Sequence, residues 1–112
     1  MARYRLTARV SGKVRHEDFD TLEAALDGLE RSGMSLQGQA DAALVGGSLM
    51  RRFEPEQQVT ARLEISGRGT HCGVDIRGDG SSVPFVGRIR RREIERHRNE
   101  SSYDALRRTL AE

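Results

Sequence analysis

The stretch Val59-Thr60-Ala61-Arg62-Leu63-Glu64-Ile65-Ser66 runs into Gly67-Arg68-Gly69-Thr70 and then His71-Cys72-Gly73-Val74-Asp75-Ile76. Val59, Ala61, Leu63 and Ile65 alternate with Thr60, Arg62, Glu64 and Ser66, the two-residue period of a strand with one dry face and one wet face. Gly67 to Thr70 has the composition of a hairpin loop, and Cys72, Val74 and Ile76 resume the alternation. Gly78-Asp79-Gly80-Ser81 turns the chain again, and Val83, Phe85, Gly87 and Ile89 continue it. Turns this short join antiparallel neighbours, so the pattern predicts a meander of strands near 57–66, 71–77 and 83–91.

Toward the N-terminus, Tyr4, Leu6, Ala8 and Val10 alternate with Arg3, Arg5, Thr7 and Arg9, and Ser11-Gly12 permits a tight turn, which predicts paired strands at 3–10 and 13–19. Asp20-Thr21-Leu22-Glu23 places a capping acceptor and a carboxylate three residues apart, and Leu22, Ala25, Leu26 and Leu29 share one helical face, which predicts a helix at 21–32 ending at Gly33. Gln39 to Val45 reads as a short helix between Gly38 and Gly46-Gly47, within a stretch, 34–50, that carries little other pattern. Ser101 or Ser102 caps a last helix at 102–110, with Tyr103, Leu106 and Leu110 on one side and Arg107 and Arg108 near its negative end. The fold class expected is α+β: a five-stranded antiparallel sheet in the order β-β-α-β-β-β-α, with the helices packed on one face. Its expected core is Leu6, Val10, Leu22, Leu26, Leu29, Leu63, Ile65, Val74, Ile76, Phe85, Ile89 and Leu106.

The chain of 112 residues is 36% hydrophobic, enough for one domain spanning 1–112 and too little for two. The opening Met1-Ala2-Arg3-Tyr4-Arg5 leads into no apolar run, and the longest uncharged stretch, Ala42 to Met50, is broken by Gly46-Gly47, so neither a secretory signal nor a membrane span is expected. A single cysteine, Cys72, agrees with a reducing, cytoplasmic setting and shares its parity with Val74 and Ile76, as a buried thiol would.

Charge is more informative than its net value of +2. The six acids Glu17, Asp18, Asp20, Glu23, Asp27 and Glu30 occur with no basic residue among them, whereas Val86 to Arg98 holds Arg88, Arg90, Arg91, Arg92, Arg96 and Arg98 against Glu93 and Glu95. If the last strand continues past Ile89, then Arg88, Arg90 and Arg92 share one sheet face about 7 Å apart. Guanidinium groups so spaced could follow phosphates, keep an exposed strand soluble, or meet the acidic segment as a partner face within or between chains.

Other patterns carry less. Arg77-Gly78-Asp79 spells an integrin-binding tripeptide at a turn whose glycines and aspartate the turn itself requires. A calcium loop from Asp75 would put Arg77 and Val86 where oxygen ligands belong. His71 and Cys72 point to opposite faces of a strand, and His16, His71 and His97 lie on separate segments, so no metal site is expected. No glycine cluster matches a phosphate loop, no serine stands in a triad spacing, and no cofactor is implied. The α-β-β-β-α order from Asp20 onward is similar to that of double-stranded RNA-binding domains, which resemblance implies a lysine cluster at the start of the last helix; Asn99-Glu100-Ser101-Ser102 stands there instead.

No pattern supports catalysis, and an enzyme would need a site assembled only by folding. Five aromatic residues, no Trp and short helices point first to a binding or oligomerisation domain acting through protein contacts, a homo-oligomer or a subunit of one. The alternative is nucleic-acid or polyanion binding through the Arg88 to Arg98 segment.

Overall fold

A computed structural model describes residues 3–45 and 59–111. The chain is α+β, with eight elements among the described residues: β1 (Tyr4–Val10), β2 (Lys13–Phe19), α1 (Leu22–Val45), β3 (Val59–Gly67), β4 (Thr70–Arg77), β5 (Ser82–Val86), β6 (Arg92–Glu93) and α2 (Ser102–Ala111). All neighbouring strands are antiparallel, in the spatial order β2-β1-β3-β4-β5-β6. The sheet therefore has six strands rather than five, and β1 lies between β2 and β3. The two-residue loops Ser11-Gly12 and Arg68-Gly69 hold both residues at positive φ, the turn whose twist matches that of the strands it joins.

Register explains the core. Leu6 faces Ile65, Ile65 faces Cys72, and Leu63 faces Val74, so one side of the sheet is continuously apolar. Ala25, Leu26 and Leu29 of α1 and Tyr103 and Leu106 of α2 bury against it. Of the expected core, Val10 and Leu22 are only partly buried, and Phe85 is buried on the opposite side of the sheet, in register with Gly73 rather than with the Val74 row. Ile89 is 93% exposed, because the strand expected to carry it inward has already ended.

The first helix runs past its expected stop. Gly33 is not a terminus: a Cβ there would come within 2.8 Å of the Tyr103 ring, so the glycine admits the second helix. The short helix expected from Gln39 to Val45 is the continuation of α1, while Gly46 to Met50 and the expected strand start at 57–58 lie outside the described residues. The cap is shifted by one residue as well: the hydroxyl of Thr21, not the carboxylate of Asp20, accepts from the Ala24 N–H at 3.1 Å. At α2 the expected Ser101 cap is present, accepting from the Asp104 N–H at 3.0 Å, and the buried Ser102 hydroxyl donates instead to the Ser82 carbonyl.

Candidate functional site

The wet face of the sheet is organised by ion pairs. Strand alternation sends Arg5, Thr7 and Arg9 to this face, with Arg62 and Glu64 from β3 and His71 and Asp75 from β4. Arg62 meets its register partner Asp75 at 2.6 Å through a forked pair, and Arg5 meets Asp18 at 2.9 Å. At the centre, one Glu64 oxygen lies 3.1 Å from His71 Nε2, and the other lies 3.6 Å from Arg9 and 3.5 Å from Arg91. Arg91 in turn stacks 4.4 Å above the Phe85 ring, which covers Gly73, where a side chain would strike the ring at 2.7 Å.

A groove of about 980 Å³ opens beside this cluster, bordered by Thr7, Arg9, Glu64, Ser66, His71 and Arg88. Ser66 and His71 are register partners, so serine, histidine and glutamate share one face. Yet the imidazole Nε2 is engaged by Glu64, and Nδ1 is buried with no hydrogen-bond partner, an arrangement that anchors the ring instead of offering it as a proton relay. The three histidines do not converge: His16 bonds Thr7 at 3.1 Å on the β2 side, His71 sits at the centre, and His97 is exposed ahead of α2. Among the described residues no group of three or more His, Cys, Asp or Glu could hold a metal ion.

The arginine segment does not form the expected row. β5 ends at Val86; Gly87 takes φ of 104°, and its N–H donates to the His71 carbonyl at 2.9 Å. A Cβ at Gly87 would collide with the Arg90 carbonyl, so only glycine permits this bend. Arg88 and Arg90 therefore lie on a turn with Ile89 at its tip, and Arg92 returns on β6 opposite Val86. Arg91 is spent on Glu64 and Phe85. Arg88, Arg90, Arg92, Arg96 and Arg98 are exposed, and among the described residues they form no ion pair within 4 Å.

The acidic segment is not a single face. Asp18 belongs to Arg5, whereas Asp27 and Glu30 are bridged by Arg107 of α2, at 2.7 Å to Asp27. The cation that meets the acidic helix thus comes from the last helix and not from the arginine segment. Glu17, Asp20 and Glu23 stay exposed. Glu100 accepts from the guanidinium of Arg108 at 2.8 Å and from the His97 N–H, which hold its carboxyl down to about 2. Where the resembling domains place lysines, this chain places a neutralised acid.

Two further groups are closed to chemistry. Cys72 is fully buried, and burial pushes its thiol up to about 12. The Arg77-Gly78-Asp79 turn is packed down: Gly78 is buried, and the Gly80 carbonyl accepts from Gln37 of α1 at 2.7 Å. The cluster around Glu64 went unread because its members are far apart in sequence; their shared wet-face parity was the only available signal. No protein-family model, curated protein or solved structure matches the chain.

Proposed function

We propose that the protein is a binding domain that engages duplex nucleic acid through its arginine turn, Arg88 to Arg98. The observation that carries this reading is the contrast in arginine partners. Arg5, Arg62, Arg91, Arg107 and Arg108 are each held by a carboxylate, while five arginines within eleven residues face solvent with no carboxylate partner among the described residues. Guanidinium groups left unpaired on a turn are available to fork onto phosphate oxygens. Ile89, exposed between Arg88 and Arg90, has the character of the apolar wedges that architectural proteins press between base steps. The acidic segment opposes such binding less than its formal charge suggests, since Asp18, Asp27 and Glu30 are already neutralised.

No helix among the described residues is long and apolar enough to cross a membrane. The proposal places the protein in the cytoplasm, with which its lone buried thiol agrees. Self-association is the second reading, favoured by the outer edge of β2, which no strand among the described residues covers.

Fluorescence anisotropy of a labelled DNA duplex tests the first reading. Affinity should fall steeply between about 50 and 200 mM salt, with a logarithmic slope near −0.9 per phosphate contacted. Changing Arg88, Arg90 and Arg92 together to Gln should flatten that slope and remove binding while circular dichroism stays native, since all three are exposed. Absence of binding at the lowest salt, or binding indifferent to the triple change, would overturn the proposal.

A further inference from the structure

The two edges of the sheet are unlike. At one end, β5 is covered for only two residues by β6, and Pro84 and the Gly87 bend interrupt it. At the other end, β2 offers seven residues with no proline, and everything from Lys13 to Asp18 is exposed. The tight turn at Ser11-Gly12 makes Val10 and Lys13 a hydrogen-bonded pair. Alternation along the ladder then turns the backbone N–H and C=O groups of Val14, His16 and Asp18 outward, to the edge that no strand among the described residues covers.

The charges on that edge are ordered. Lys13 and Arg15 occupy its first half, Glu17 and Asp18 its second. Such a strand is self-complementary when it meets a copy of itself running the other way. Three two-fold registers bond at least two of Val14, His16 and Asp18 to one another across the axis. Centring on residue 15 sets Arg15 against its own copy, and centring on residue 17 does the same for Glu17. Centring on His16 alone puts Arg15 opposite the partner's Glu17 twice, at the non-hydrogen-bonded positions where side chains approach most closely. Those side chains point to the helix-bearing side, where a groove of about 500 Å³ between β1, β2 and α1 is bordered by Ala8, Val10, Arg15, Glu17 and Leu36.

We propose that β2 pairs with β2 of a second copy about a two-fold axis through His16, joining two six-stranded sheets into one of twelve. Both arginine turns then stand at the far ends of the joined sheet, so the interface leaves the proposed nucleic-acid surface free and does not depend on it. The ordered charges could instead serve only to keep a lone edge from aggregating, a role in which any arrangement of charge would do.

Sedimentation equilibrium of the full chain separates the two. The wild type should form a dimer of its 12.5 kDa chain at micromolar concentration. Arg15→Glu and Glu17→Arg should each weaken dimerisation on the order of tenfold or more, because each sets like charges face to face. Mixing the two variants should restore association as a one-to-one heterodimer, since the two acids of one chain, at 15 and 17, then meet the two arginines of the other, at 17 and 15. Amide exchange at Val14, His16 and Asp18 should slow as protein concentration rises. A wild type that stays monomeric overturns the proposal, as does a dimer indifferent to both substitutions or a mixture that fails to pair. His16→Pro, which removes an outward N–H, should also dissociate the dimer, and an undiminished dimer would count against the register.

Discussion

The two faces of one sheet are built from alternate residues of the same strands and are held by different forces. On the face toward the helices, Leu63, Ile65, Cys72, Val74 and Ile76 are wholly out of water. One residue along, Arg62 and Asp75 form an ion pair and Glu64 meets His71 at hydrogen-bond distance, all four partly wet. Burial of apolar area is non-directional and large, about 25 cal/mol per Å², whereas ion pairs at a solvated face return little after desolvation and screening. Stability should therefore reside on the first face and side-chain placement on the second.

Leu63→Ala should cost about 2–5 kcal/mol in urea unfolding, the largest loss expected, as a truncation in a closed core does. A cost below about 1 kcal/mol would mean that the helices do not seal this face.

The dry face also makes stability depend on pH through Cys72. Its thiol ionises in the unfolded chain around its ordinary value of 9.0 but in the folded chain only near 12. As pH rises through that window the unfolded state sheds a proton that the native state keeps, so stability must fall between pH 9 and 12. Cys72→Ala should make that alkaline decline shallower in denaturant midpoints measured from pH 8 upward, leaving the part due to Tyr103, whose hydroxyl burial also pushes up to about 12. An unchanged slope would place the thiol in contact with water.

The smallest effect is expected on the wet face. Glu64→Gln should lower stability by only about 1 kcal/mol, because Arg9 and Arg91 can each turn to solvent and the glutamine side chain can still hydrogen-bond His71 Nε2. Its signature is local: the His71 ring resonances and the stacking of Arg91 on Phe85 should shift in nuclear magnetic resonance spectra. A loss as large as that at Leu63 would show that charge, not burial, holds the sheet together.

Much of this was legible residue by residue. The alternation from Val59 to Ile76 and from Tyr4 to Val10, broken by Gly-containing turns, locates three strands to within a residue or two, because a period of two forces side chains to opposite faces. The sequence could not show that Gly33 lies inside a helix. A glycine that ends a helix and one that admits a tyrosine from another helix look alike until Tyr103 is in place. Gly87 misled in the opposite direction: counted as one more alternating position, it is the residue that bends the chain away and frees Ile89.

Periodicity, turn composition and capping act over a few residues, so by itself the sequence determined the strands, the hairpins and which side of each strand is dry. Strand order, the clustering of Arg9, His71 and Arg91 around Glu64, and the grip of Arg107 on Asp27 and Glu30 join residues far apart along the chain. A guanidinium pairs with whichever carboxylate folding brings within about 4 Å, and no local pattern encodes that choice. Tertiary structure alone therefore decided which arginines are spent on the fold and which, among the described residues, form no ion pair.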